Sequence, residues 1–402
     1  TDSDLLISKG RIDRIASSIE ASDGMEIIDA DGAWLLPGMI DDQVHFREPG
    51  LTHKGGIRSE SRAAVAGGIT SFMEMPNTIP ATVTLDALED KYAVAAEKSL
   101  ANYAFYLGAT NDNLDVIRSL QPGTAAGIKI FMGASTGSML VDNEETLAGI
   151  FRDAPALITT HCERTPVIER NLAAAVEKYG REIPVTEHPN IRSAEACYQS
   201  TVIAIELARQ YQAPLHVLHL TTAREMELFE PGPMQGKLVT GEVCVHFLHF
   251  SSDDYPRLGN NIKCNPAIKT AADRAGLMAA LKQGRLDIIA TDHAPHTREE
   301  KAVSDYLKAP SGLPLVQDAL LSVLELYHDG ELSMEDIVRL TAHNPAIRYK
   351  VKDRGFLREG QWADLVIVDT AQETAATRQR VLSQCGWSPF EGETFRSRIV
   401  ST

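Results

Sequence analysis

Histidine, aspartate and lysine side chains set within or at the ends of short apolar runs are the groups in this sequence best placed to do chemistry. Asp41, Gln43, His45 and Arg47 alternate along one run. Side chains of an extended strand repeat every second residue, so these four share one side of it. Lys129 lies inside another run, Gly127-Ile-Lys-Ile-Phe131, while His161, His219 and Asp292 each end one more. Imidazole and carboxylate are the ligands of a catalytic zinc, and drawing them from separate strands leaves a coordination position open for water. A lone histidine is more often a satisfied core or surface group, and that reading is preferred for His53, His188, His216, His246, His249, His328 and His343. Five separate runs carrying such groups are harder to assign to chance. Lys129 needs its own account, because an unpaired ammonium is costly in a protein interior. Either its run is exposed, or the amine reacts with carbon dioxide to give a carbamate whose two oxygens bridge two cations.

The elements that must position these groups follow a repeating pattern. Apolar, often β-branched runs lie near Gly38 to Phe46, Ile69 to Met75, Tyr103 to Gly108, Gly127 to Phe131, Ala156 to His161, Pro214 to Leu220, Lys237 to Val245 and Leu286 to Asp292. Between them, Arg58 to Ala66, Thr84 to Ser99, Pro166 to Tyr179, Ser193 to Tyr211 and Asp273 to Gln283 show apolar spacing of three and four. Helical segments Leu313 to His328 and Ser333 to His343 follow the last run. Eight strands alternating with helices predict an α/β fold, a TIM (β/α)8 barrel, whose chemistry sits at the C-terminal ends of the strands. Residues 1–36 read instead as short strands with turns, for example Asp4 to Ser8 and Gly24 to Ala30, and Ala363 to Val368 returns to that style. The expected organisation is a small β domain from residues 1–36 with 354–402, beside a barrel spanning 37–353.

Composition narrows the function classes. A formal net charge of -16 without a Lys/Arg cluster argues against nucleic acid and against acidic membrane surfaces. Five cysteines without regular spacing, Cys162 and Cys244 among them in apolar stretches, suggest reduced thiols and a cytoplasmic protein. No apolar run approaches the roughly 18 residues of a membrane span. The chain starts at Thr1 without methionine, so preceding residues are expected.

Read as motifs, the same residues resemble the amidohydrolase superfamily, and within it the dihydroorotases of the long, bacterial class I type. Pro37-Gly-Met-Ile-Asp-Asp-Gln-Val-His-Phe-Arg-Glu-Pro-Gly50 is similar to the first-strand motif D-x-H-x-H-x-R-x-P, and Met75-Pro-Asn-Thr78 to the second-strand asparagine motif. Gly127-Ile-Lys-Ile-Phe-Met132 resembles the carboxylated-lysine strand, His161-Cys-Glu163 the fifth strand end and His216-Val-Leu-His-Leu-Thr221 the sixth. Ala290-Thr-Asp-His-Ala-Pro-His296 is the most specific match, and Asn265-Pro266, Ala309-Pro-Ser-Gly312 and Cys385-Gly-Trp-Ser-Pro-Phe-Glu-Gly392 add weaker ones. The similarity spans nearly the whole chain, with the motifs in the family's order.

The resemblance implies reversible hydrolysis of L-dihydroorotate to N-carbamoyl-L-aspartate, a step of pyrimidine (UMP) synthesis. It implies metal ligands at His45, Lys129, His161, His219 and Asp292, with Asp292 also the proton shuttle. Substrate contacts would come from Arg47, Asn77, Asn265, His296, Ser311 and Gly312. Relatives that open hydantoin or allantoin rings share fold and metal chemistry but lack the arginine at the position of Arg47, which suits a ring carboxylate. One departure stands out: Gln43 occupies the place of the first histidine of His-x-His, and a neutral amide is a poor zinc ligand. The expectation is one tightly bound zinc on Lys129, His161 and His219, and a weaker second near His45 and Asp292, with Lys129 carboxylated if both are held. Homodimers and a ligand-poor scaffold partner of aspartate carbamoyltransferase are further associations the resemblance brings, the scaffold disfavoured because most ligands remain.

Overall fold

A computed structural model describes residues 3–133 and 139–402. Eight parallel barrel strands run in chain order: β1 (Met39–Val44), β2 (Ile69–Glu74), β3 (Asn102–Phe105, resumed at Leu107–Gly108), β4 (Ile128–Phe131), β5 (Ile158–His161), β6 (Leu215–Val217), β7 (Val239–Cys244) and β8 (Ile288–Ala290). The barrel closes where Val44 bridges His293 and the His45 amide donates to the His293 carbonyl at 2.7 Å. Every residue of β1, β4, β5, β6 and β8 is buried, as expected for parallel strands covered on both faces. The TIM barrel predicted from the alternation of elements is the observed fold.

Five predicted helices form within a residue or two of their expected bounds: Ile57–Ala66, Leu85–Lys98, Thr165–Tyr179, Ala194–Tyr211 and Ala271–Lys282. Thr84, Ser193 and Thr270 start three of them, each side-chain oxygen accepting from a backbone N–H three residues on. Two later segments differ from expectation. The helix expected from Leu313 begins only at Ala319, because Pro314 disfavours helical backbone at Leu313 and the Leu315 and Val316 amides are spent on His293 Nδ1 at 2.8 and 3.2 Å. The helix after Ser333 widens to a π turn at Arg339–His343 and continues through Asn344–Arg348, the loose turn accommodating Pro345, which has no N–H.

The chain ends contribute a small antiparallel sheet of Trp34–Pro37, Leu365–Asp369 and Arg398–Ser401. A separate hairpin, Asp4–Ser8 with Arg11–Ala16, turns through Lys9 and Gly10, both at positive φ. The strand expected over Gly24 to Ala30 does not form, since no neighbouring strand pairs with it, and Ile27 and Ile28 remain exposed. Residues 381–391 leave the small sheet and pack against the barrel mouth, with Ser383 and Gln384 on Glu60 and Trp387 Nε1 donating to the His296 carbonyl at 2.7 Å.

Beneath the mouth, Glu74 at the end of β2 pairs with Lys91 at 3.0 Å, both fully buried, and Lys91 also donates to the Met75 carbonyl. Removing one member of such a pair strands the other's charge. Lys91→Met is therefore expected to cost about 3–5 kcal/mol, read from urea unfolding, and adding Glu74→Leu should recover most of it. A loss under about 1 kcal/mol would mean that Glu74 is neutral in the fold.

Candidate active site

The predicted residues converge at the C-terminal end of the barrel. Three of them, Arg47, His219 and Asp292, have φ of 70°, 43° and 52°, left-handed backbone that side chains other than glycine seldom adopt. Such strain at three strand ends is the kind that persists where the surrounding structure fixes a functional geometry.

On one side of the site, His161 Nε2 faces Glu163 Oε2 at 3.0 Å, and Glu163 is in turn paired with Arg192. Burial alone would raise the Glu163 carboxyl, but Arg192 and His161 outweigh it and hold it at about 2. An anionic Glu163 accepts a hydrogen bond from His161 Nε2–H, so His161 Nδ1 is left as a lone pair. It points at His219 Nε2, 2.9 Å away. Burial lowers the pKa of both imidazoles, each further opposed by Lys129. Two neutral rings with facing nitrogens require a shared proton or a cation between them. Lys129 Nζ lies fully buried with no hydrogen-bond partner, 4.7 Å from the Phe131 ring centroid, and burial lowers its pKa to about 8. The neutral amine, about a tenth of the population at pH 7 with such a pKa, is the form that can react with carbon dioxide. These three groups fit a divalent cation, with Glu163 orienting a ligand histidine from behind.

On the other side, His45 Nδ1 lies 2.8 Å from Asn77 Oδ1, an acceptor only, so the proton is on Nδ1 and Nε2 faces Asp292 Oδ1 at 3.1 Å. Gln43 Nε2 donates to the same Asp292 oxygen at 3.1 Å. The amide thus supplies a hydrogen bond where the first-strand motif that this segment resembles has an imidazole.

Around the rim, Arg47 is 8% exposed and forms no ion pair with any described residue; Glu48, its sequence neighbour, is held by Lys98. Its Nε donates to the Pro295 carbonyl at 3.2 Å and Nη2 lies 3.1 Å from His296 Nε2. His296 sits between cations: Lys54 Nζ is 3.2 Å from Nδ1, while the Ser311 carbonyl is 3.1 Å from Nε2. Burial, then Arg47 and Lys54, lower its pKa, so it is neutral. The consistent tautomer has Nε2–H donating to Ser311 and Nδ1 accepting from Lys54, which leaves Arg47 with unpaired N–H groups. Gly312 has φ 145°, and a Cβ there would meet the Ala294 carbonyl at 2.5 Å, so only glycine lets this loop close on His296. Asn265 Oδ1 is buried without a partner, a side chain able to meet a polar ligand.

Lys54 and Glu163 were not singled out from the sequence. Glu163 stands two residues beyond His161, a period-two signal that could have found it, whereas nothing in the chain order marks Lys54. Among the histidines expected to be structural, His188 is satisfied by Tyr306 and Cys264, and His249 pairs with Glu393. His246 differs, buried with neither ring nitrogen bonded, and His216 faces Asp42 and Glu242, an Asp/His/Glu grouping able to hold a metal ion. All five cysteines are buried and unpaired, and no described helix is long and apolar enough to cross a membrane.

Comparisons with known proteins bear on the family and the fold. The amidohydrolase family model matches residues 34–393. A dihydroorotase of Halobacterium salinarum is 35% identical, covering 97% of this chain and 89% of its own. An allantoinase of Bacillus velezensis is 32% identical, covering 99% and 88%. In three dimensions the L-hydantoinase (dihydropyrimidinase) from Arthrobacter aurescens is similar at a TM-score of 0.94 and 27% identity, over 100% of this chain and 90% of that one.

Proposed function

The chain belongs to the amidohydrolase family and is a cyclic amide hydrolase, and on that premise we propose that its ring is L-dihydroorotate, opened reversibly to N-carbamoyl-L-aspartate. The observation that carries this reading is Arg47, buried at the rim, in no ion pair with any described residue and left with unspent donors. A guanidinium in that state matches a ring carboxylate, a group that uncharged hydantoin rings do not offer. Asn77, Asn265, His296, Ser311 and Gly312 would hold the rest of the ring. Ring opening by allantoinase or hydantoinase chemistry is the second reading, favoured by the allantoinase relatives and the hydantoinase-like fold.

Lys129, His161 and His219 would hold one zinc tightly, and His45 with Asp292 a second weakly. When bound, such an ion acidifies water and polarises a carbonyl. Asp292 accepts the proton of the attacking water and returns it to the ring nitrogen as the amide C–N bond breaks. Gln43 and His45, both on Asp292 Oδ1, fix that carboxylate toward the ring. Glu163 keeps the His161 proton on Nε2, so the nitrogen facing the ion stays available.

Opening the ring converts a monoanion into a dianion and releases a proton, so closure is favoured as pH falls. Incubation with N-carbamoyl-L-aspartate at mildly acid pH is expected to yield dihydroorotate; no closure at any pH would overturn the reading. Anomalous scattering from protein purified with zinc and then dialysed should show full occupancy between Lys129, His161 and His219 and partial occupancy beside His45 and Asp292. Gln43→His should raise the second. Two fully occupied positions in the unaltered chain would contradict the weak site.

A further inference from the structure

Deeper in the barrel, Asp42 on β1, His216 on β6 and Glu242 on β7 bring their side chains together, all with no exposed surface. His216 Nε2 lies 3.2 Å from Glu242 Oε2 and 3.3 Å from Asp42 Oδ2. Neither Asp42 oxygen has a hydrogen-bond partner. On its other edge His216 Nδ1 is 2.7 Å from Thr240 Oγ1, whose own proton can go to the Leu215 carbonyl at 3.5 Å. In that arrangement Nδ1–H donates to Thr240, and the Nε2 lone pair faces two carboxylates. Like-signed groups at that distance repel unless a proton or a metal cation lies among them, and without a metal the two carboxylates outweigh burial and raise the His216 pKa to about 9. Ligands about 2.0–2.2 Å from a tetrahedral ion are themselves about 3.3–3.6 Å apart, which the two separations approach. Thr240 would then act as the outer partner that fixes the tautomer of a metal-bound histidine.

We propose that Asp42, His216 and Glu242 form a second, structural divalent-cation site, distinct from the catalytic centre and tying β1, β6 and β7 together. Glu242 links the two levels, since its Oε1 accepts the backbone N–H of His219 at 3.0 Å. An ion there would fix the height at which His219 leaves β6. The site uses none of the side chains assigned to the catalytic ion, so either can fail without the other.

The test is anomalous difference density at the zinc edge from crystals of the full chain, purified with zinc and dialysed without soaking. A peak bounded by His216 Nε2, Asp42 and Glu242, separate from the one at His161 and His219, is expected. Asp42→Asn should abolish that peak and remove one equivalent from the metal content while the catalytic peak remains. If the variant fails to fold, the wild-type map still decides. A map with no density among these three residues, or a metal content unchanged by Asp42→Asn in folded protein, would overturn the proposal and leave a buried imidazolium between carboxylates in its place.

Discussion

Asp292→Asn is expected to lower turnover by two or more powers of ten, about the size of general acid–base effects, with the fold intact. The amide keeps the shape of the side chain and can still meet Gln43, but it cannot carry a proton between water and the ring nitrogen. Its left-handed backbone, φ 52°, is one that asparagine tolerates as well as aspartate does, so structural loss should be small. Steady-state kinetics with circular dichroism separates the outcomes. A folded variant with near-normal turnover would remove Asp292 from the chemistry and leave it only as a partner of Gln43 and His45.

Arg47→Met keeps an apolar stem in the rim and removes the charged donors. Loss of a charge-assisted pair is expected to cost about 1.5–3 kcal/mol, roughly tenfold to a hundredfold in kcat/KM for dihydroorotate. The loss should be selective, with little change on a ring lacking the carboxylate and none in metal content. Pairing of Arg47 with Glu48 would make this substitution harmless, but Glu48 is paired with Lys98 instead. Equal losses on carboxylated and uncarboxylated rings would show instead that Arg47 supports the rim through the Pro295 carbonyl.

Much of this arrangement was legible in the sequence because parallel barrel strands are buried on both faces and read as largely apolar runs, several of which end in a polar residue. That rule found His161, His219 and Asp292 together with the elements that carry them. It failed where pairing depends on partners far apart in the chain. The alternation of Gly24 to Ala30 looks like a strand, yet a strand needs a neighbour and none is supplied. Leu313 continues an apolar spacing, but Pro314 and the demand of His293 Nδ1 for donors keep it extended. Asp42 falls on the face opposite to Gln43 in an ideal strand, so its meeting with His216 across the barrel could not be read from period two; β1 carries a register irregularity between Asp41 and Val44. The closure of Trp387 over His296 joins residues 91 apart and leaves no local trace.

The most direct test of the substrate assignment is a side-by-side measurement of kcat/KM on L-dihydroorotate, hydantoin and allantoin with the same zinc-loaded preparation. The free donors of Arg47 predict dihydroorotate turnover ahead of both other rings by at least about tenfold, the worth of one charge-assisted pair. Hydantoin or allantoin turned over as well as dihydroorotate, or better, would contradict the account.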